Sequence, residues 1–233
     1  MCAVEAEAPS FTPDLFAFLR ELAANNDREW FAANKPRYVA DVQEPALAFI
    51  EDVGVRLPEV SGHFVADART VGGSLFRIYR DTRFSKDKTP YKTQVGIQFR
   101  HERAKDAHAP GFYAHLEPGR VFMACGTWHP DGDTLRAIRT AIAADADRWR
   151  AIVADDAFAG RFRLGGETLK RAPAGFDPDH PLIEDVKRKS FAITSQVTQR
   201  EVTGSGFLGE VEARAAGARP FMAFLCSALG VEY

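Results

Sequence analysis

The chain has few cysteines and no long apolar run. Cys2, Cys125 and Cys226 are widely separated among 233 residues, and no Cys-x-x-Cys pair occurs. This count predicts no disulfide framework and favours a reducing compartment, and the ligand spacing of a metal site is missing too. No stretch of about 18 apolar residues occurs, so we expect no membrane span. The first residues lack a basic segment followed by an apolar one, so we expect no signal peptide and a cytoplasmic protein.

The chain also lacks a strong charge of either sign. Thirty Lys and Arg against 32 Asp and Glu give a formal net charge of −2. Proteins that coat nucleic acid by bulk charge have basic domains, so any contact with a polyanion must be local. The hydrophobic content of 45% is typical of a globular protein of this size. We therefore expect a disordered lead over residues 1–10 and a single domain over residues 11–233.

The apolar periodicity changes twice along the chain. Helical spacing comes first, with Thr12 and Pro13 as a helix start and Asp27 as the next cap. Alternating segments follow, and Pro118-Gly119 predicts a type II turn that joins two of them in an antiparallel hairpin. This order predicts an α+β fold, a mostly antiparallel sheet packed by N-terminal and C-terminal helices. The expected strands are residues 75–79, 93–100, 111–117, 121–127 and 191–197, and later helices are expected at 181–189, 205–217 and 220–229.

The segment of residues 77–93, RIYRDTRFSKDKTPYKT, has a local charge of +4 within this nearly neutral chain. Its only acids are Asp81 and Asp87, and three rings are interspersed: Tyr79, Phe84 and Tyr91. Guanidinium groups bind phosphate or carboxylate through paired donors, so the segment is a candidate anion site in a connection between two strands. The candidate anion-binding residues are Arg77, Arg80, Arg83, Lys86, Lys88, Tyr91 and Lys92, together with the more distant Lys170 and Arg171.

A structural role is the main alternative for this segment. Asp81 is expected to pair with Arg77, Arg80 or Arg83 whatever the function, and such pairs often fix geometry. Because two aspartates cannot neutralise six cations, we also expect an anion site whose main donors are Arg80 and Arg83, with Lys88. Lys170 and Arg171 would join that site only if their loop meets the segment in space. Lys187 to Lys189 are explained by the dipole of the helix expected at 181–189.

The best acid-base candidates lie on or near the predicted hairpin. His115 and Glu117 share one face of a strand, and His129 follows the partner strand. A histidine and a carboxylate so placed can act as a base and its orienting partner, and Asp81 is a further candidate. No His-x-x-x-His or His-Glu-x-x-His spacing supports a metal.

The residues of this segment resemble the signature of a bacterial family, also found within longer fungal proteins, catalogued as domain of unknown function 2461. The resemblance covers roughly residues 11–233. It implies no established activity, so no catalytic residues can be carried over. Its motifs in this chain are Arg77-x-x-Arg80-Asp81-x-Arg83-Phe84-x-x-Asp87-Lys88-x-x-Tyr91, Asn25-Asn26 with Trp30-Phe31, Gly111-Phe112-Tyr113, and Leu169-Lys170-Arg171-Ala172-Pro173 with Gly175-Phe176.

Three functions therefore stay open. The favoured one is a binding module for a small phosphate- or carboxylate-bearing ligand, without a cofactor; nucleic acid is an allowed but less favoured partner. The second is an enzyme on a phosphorylated or carboxylated substrate, with His115, Glu117 or Asp81 as the acid-base group. The third is a structural or interaction domain. An enzyme needs a pocket that joins arginines to a titratable group, whereas a nucleic-acid binder needs an open groove with exposed rings.

Overall fold

The computed structural model describes residues 9–104 and 110–233. It is an α+β structure in which helices precede and follow a sheet, as the sequence predicted. The six strands of the described ranges pair in the order β1-β2-β3-β4-β6-β5, every pair antiparallel. The elements are α1 (Pro13–Ala24), α2 (Arg28–Tyr38), a π-helical turn (Val39–Gln43), α3 (Glu44–Val60), β1 (Phe64–Val65), β2 (Val95–His101), β3 (Gly111–Glu117), β4 (Arg120–Thr127), α4 (Gly132–Ala144), α5 (Ala146–Val153), α6 (Asp156–Arg161), β5 (Arg163–Leu164), α7 (Ile183–Val186), β6 (Phe191–Val197), α8 (Gln199–Val202), α9 (Phe207–Gly217) and α10 (Arg219–Ala228).

Part of the expected N-terminal lead cannot be compared with the structure. Residues 1–8 of the expected segment 1–10, and with them Cys2, lie outside the described residues. Among the helices that the structure describes, none combines the length and apolarity needed to cross a bilayer.

The first two helices begin where the sequence predicted. The Thr12 hydroxyl accepts the backbone N–H of Asp14, and Pro13 opens α1. The Asp27 carboxylate accepts the N–H of Trp30 at the start of α2. These caps satisfy backbone donors that have no partner inside the helix, and they place Asn25 and Asn26 in a short, fixed turn between α1 and α2.

The predicted hairpin is confirmed. Strands β3 and β4 pair from Gly111↔Gly126 to Glu117↔Arg120, and Pro118-Gly119 forms the turn. Gly119 has φ +81°, a left-handed conformation that glycine adopts without strain.

The sheet has one apolar face and one mixed face. Ile97, Phe99 and Leu116 are buried on the apolar face, which packs against α3, α9 and α10. Phenylalanines connect these layers: the ring centroids of Phe11 and Phe49 lie 5.2 Å apart, and those of Phe49 and Phe207 lie 5.3 Å apart. The opposite face carries Tyr113, His115 and Glu117 at alternate positions of β3, as period-two geometry requires.

Two expected elements were wrong in extent. Residues 75–79 form no strand: Leu75 and Tyr79 make isolated bridges to Ile97 and Tyr91. Between these bridges the pairing is interrupted. Lys92 still contacts this stretch: its N–H donates to the Ile78 carbonyl beside the Tyr79–Tyr91 bridge, and its Nζ donates to the Arg77 carbonyl.

The helix expected over 181–189 is only α7, Ile183–Val186. Beyond it the N–H of Lys189 donates to the Glu167 carbonyl, and Thr168 bridges Arg188, so these residues pair with an extended segment instead of continuing the helix. The sequence also missed four short elements, β1, α6, β5 and α8, and the π-helical turn.

Candidate functional site

The basic segment contains a closed loop, residues 80–90, called here the 80–90 loop. The N–H of Arg80 donates to the Pro90 carbonyl at 2.9 Å, and the neighbouring residues Tyr79 and Tyr91 form an isolated antiparallel β-bridge. The side chain of Asn26 holds both backbone groups of Tyr91: its Nδ2 donates to the carbonyl at 3.0 Å, and its Oδ1 accepts the N–H at 3.0 Å. The base of the loop is therefore fixed to the turn between α1 and α2.

Tyr91, a predicted anion ligand, serves chiefly as an anchor in this arrangement. Its ring stacks on Phe31 with a centroid distance of 4.1 Å and is buried. Burial raises the pKa of the Tyr91 hydroxyl, and the nearby Tyr79 adds to this shift. The ring thus attaches the loop to α2.

Both aspartates of the segment pair with arginines, which confirms the predicted pairing of Asp81. Arg83 Nη2 lies 2.6 Å from Asp81, and Arg80 Nη1 lies 2.5 Å from Asp87 and also contacts the Thr89 hydroxyl. The hydrogen bond from Arg83 lowers the pKa of Asp81. The backbone N–H of Thr89, then Arg80, lowers the pKa of Asp87 to about 2.

Four cations of the segment make no ion pair with any carboxylate among the described residues. They are Arg77, Lys86, Lys88 and Lys92. Lys88 Nζ donates to the Thr82 carbonyl at 2.8 Å, and Lys92 Nζ donates to the Arg77 carbonyl at 2.9 Å. Because a carbonyl carries no net charge, both lysines keep their positive charge uncompensated, and the surplus of +4 persists in the fold.

Two of these four cations, Arg77 and Lys92, line a groove of about 760 Å³, called here the basic groove. Lys35 of α2 and Arg100 of β2 also line it, and no Asp or Glu occurs among the described residues of its wall. The wall also contains the turn of residues 70–73, Gln43, Leu75, Ile78 and four aromatic rings, those of Phe31, Tyr38, Phe76 and Tyr79. The groove therefore combines positive charge with aromatic surface.

Lys92 is partly buried in the basic groove. Its Nζ lies 5.5 Å from the centroid of the Phe76 ring. Burial lowers the pKa of Lys92, and the positive charge of Arg77 lowers it further. Two cations are thus held together in a groove whose described wall contains no carboxylate, an arrangement that a bound anion would stabilise.

The tip of the 80–90 loop exposes an aromatic ring. Phe84 is 95% exposed, and Arg83 Cζ lies 5.8 Å from its centroid. Tyr79, which lines the basic groove where the loop begins, is 51% exposed.

The acid-base candidates on β3 form a hydrogen-bonded row. His115 Nε2 lies 3.0 Å from Glu117 Oε2, and His115 Nδ1 lies 3.1 Å from the Tyr113 hydroxyl. His115 is only 7% exposed and its ring stacks on Phe122 at 4.7 Å. Both ring nitrogens are thus occupied by protein groups, and none of the three residues lines the basic groove.

His129 lies far from this row. His115 pairs with Phe122, and the five residues from there to the end of β4 span ~17 Å. His129 lies beyond that end, where its N–H donates to Ser190 Oγ at 2.9 Å. The described parts of the chain contain no group of three or more His, Cys, Asp or Glu side chains arranged to hold a metal ion.

Lys170 and Arg171 do not join the basic segment. They are exposed and follow β5, whereas residues 74–76 run along β2 at the opposite edge of the sheet. The neighbouring cations have partners of their own: Lys187 with Glu184, Arg188 with Asp185, and Lys189 with Glu167. Those pairs, and not the dipole of a longer helix, account for their positions.

The sequence analysis missed two cations of the basic groove. Lys35 lies on the same side of α2 as Phe31 and Tyr38, at positions i, i+4 and i+7, and that spacing was the available signal. Arg100 gave no such signal, since a single arginine at the end of a strand is ordinary.

The family comparison agrees with the resemblance seen in the sequence. A family model described as "Conserved hypothetical protein (DUF2461)" matches residues 14–224 of the 233. Neither the curated proteins nor the solved structures contain a match to the chain. Because the matched range includes most of the chain, with the basic segment and all four cations of the groove, the chain belongs to this family of conserved hypothetical proteins.

Proposed function

We propose that the protein binds a ligand bearing a phosphate or carboxylate group in the basic groove. The observation that carries this proposal is the groove's composition: Lys35, Arg77, Lys92 and Arg100 line one cavity, and no carboxylate lines it among the described residues. Like charges held together in a wall without carboxylates create positive potential, and a concave wall concentrates it.

The proposal assigns different roles to the cations of the basic segment. Arg77 and Lys92 contact the ligand, whereas Lys86 and Lys88 contribute positive charge from the 80–90 loop. Arg80 and Arg83 are already paired with Asp87 and Asp81, which supports a bracing role for them. The segment is in this sense both a salt-bridge network and an anion site.

Thermal unfolding with added phosphate tests the proposal. At about ten times its dissociation constant, phosphate adds roughly 1.4 kcal/mol of stability by mass action, which raises the Tm by about 3–6 °C at this chain length. Arg77→Ala and Lys35→Ala, both at exposed positions, should remove most of that rise. Lys170→Ala, at the other edge of the sheet, is the matched control and should keep it.

Sodium chloride at equal ionic strength provides the solvent control. If the wild type gains no more from phosphate than from chloride, the proposed anion site does not exist. Arg83→Ala tests the alternative expected from the sequence, in which Arg80, Arg83 and Lys88 bind the anion. If Arg83→Ala loses the phosphate effect and Arg77→Ala keeps it, the anion site lies in the 80–90 loop and not in the basic groove.

A further inference from the structure

The basic segment presents two aromatic rings to solvent. Phe84 is the most exposed large apolar side chain among those that the structure describes, and Tyr79 is half-exposed. An apolar ring fully in water gains nothing for folding, because burial is what makes apolar surface stabilising. Its position at the tip of a loop instead suits contact with a partner.

The 80–90 loop holds Phe84 in place before any partner arrives. The Arg83 guanidinium lies over the ring and is itself fixed by Asp81. The Arg80–Asp87 pair crosses the loop further down, and Lys88 Nζ bonds the Thr82 carbonyl. A braced loop loses little conformational entropy on binding, so most of the contact energy is available for affinity.

The 80–90 loop begins at the wall of the basic groove, because Tyr79, the residue before it, lines that groove. Tyr79 and Lys92 flank the 80–90 loop and both line the basic groove, while Lys86 and Lys88 lie within the loop. Proteins that bind single strands combine cations that follow the phosphates with rings on which unpaired bases stack. We infer that the basic groove and the 80–90 loop bind single-stranded nucleic acid, with Phe84 and Tyr79 as stacking surfaces; this inference rests on the proposed function and names its ligand class.

Unpaired bases fit this surface better than a duplex or a membrane does. In a duplex the base faces are already stacked, so Phe84 would have no face to contact. A bilayer surface would engage only the loop tip, where Phe84 lies among Arg83, Lys86 and Lys88, and would leave the cations of the groove without a ligand. Here Lys35, Arg77 and Arg100 instead line a recess at the base of the loop. The net charge of −2 is consistent with a localised basic binding surface and not with a protein that is basic throughout.

Fluorescence anisotropy with a labelled oligothymidylate of about fifteen nucleotides tests the inference. We expect binding by the wild type and at least about fivefold weaker binding by Phe84→Ala, since base stacking on a ring is worth roughly 1 kcal/mol or more. Phe84→Trp should bind like the wild type because it keeps a stacking face. Trp128→Ala removes another exposed ring, next to the end of β4, and is the matched control with unchanged affinity.

The salt dependence gives a second readout. If the four groove cations engage phosphates, the logarithm of the association constant should fall with the logarithm of salt concentration at a slope of about −3, and Arg77→Ala should reduce that slope by about 0.7. Equal affinity for a duplex of the same length, or unchanged affinity in Phe84→Ala, would overturn the inference.

Two further outcomes separate this inference from the proposed function. An Arg77-dependent phosphate effect without oligonucleotide binding leaves the anion site standing and overturns the nucleic-acid inference. Absence of both effects overturns both. Phe84-dependent binding to phosphatidylcholine–phosphatidylserine vesicles, without oligonucleotide binding, would identify the loop as a membrane contact and overturn the inference as well.

Discussion

The contact of Asn26 with Tyr91 predicts a measurable loss of stability in Asn26→Ala. The amide makes two hydrogen bonds of 3.0 Å to backbone groups 65 residues away, and all of these groups are partly buried. Each such bond contributes about 0.5–1.5 kcal/mol net, so the substitution should cost about 1–3 kcal/mol. At this chain length, that cost corresponds to a Tm lower by about 2–12 °C.

Asn25→Ala is the matched control because it removes a neighbouring amide. Asn25 Nδ2 donates one exposed hydrogen bond, to the Glu21 carbonyl at 2.9 Å. Its loss should cost no more than about 1 kcal/mol, since water can replace the donor. Urea unfolding followed by tryptophan fluorescence measures both variants. Equal midpoints and slopes for Asn25→Ala and Asn26→Ala would refute the reasoning.

Asn26→Asp separates the two hydrogen bonds. The carboxylate keeps an acceptor for the Tyr91 N–H but has no donor for the Tyr91 carbonyl. Only the protonated form can donate, so folding raises the pKa of the introduced carboxyl. Its stabilising contribution is then present at low pH and is lost as the pH rises through that raised pKa. The stability gap to wild type should therefore be smaller near pH 4 than at pH 7.

Limited proteolysis gives an independent readout of the same contact. Tyr91 closes the 80–90 loop, so Asn26→Ala should speed tryptic cleavage at the arginines and lysines between residues 80 and 90. Cleavage elsewhere should change less, since local opening and global unfolding are different events. Unchanged cleavage within the loop would show that Asn26 does not hold its base.

Two further predictions concern titratable groups. The pKa of Asp87, measured by carboxyl NMR, should be about 2, and Arg80→Ala should raise it toward the ordinary value. Because the pKa of Asp87 is depressed in the folded state, the stabilisation from the pair is present above about pH 4 and is lost as the pH falls toward 2. An Asp87 pKa that Arg80→Ala leaves unchanged would contradict the pairing. In the Cys2→Ser variant, the two remaining thiols should react with a disulfide reagent only as fast as local or global unfolding exposes them. Both are buried, and burial raises the pKa of Cys226 to about 11 and that of Cys125 further. Rapid labelling under native conditions would contradict this burial.

The sequence by itself determined the features that depend on near neighbours. The capping of α1 and α2 by Thr12 and Asp27 and the Pro118-Gly119 turn were readable because each involves residues a few positions apart. The order of helical and alternating segments likewise predicted the α+β class. The charge surplus of residues 77–93 was visible for the same reason, since it depends on composition alone.

Only the tertiary structure decided which cations share a cavity. Lys35 reaches the basic groove from α2, which packs against Tyr91 through Phe31, and Arg100 reaches it from β2; both placements depend on long-range contacts that leave no local signal. Long-range pairing also decided that the expected strand at residues 75–79 is reduced to two isolated bridges, to Ile97 and to Tyr91. Sequence shows which charges exist; the fold determines which of them are neutralised by a neighbour and which remain free for a ligand, because that depends on distances between residues far apart in the chain.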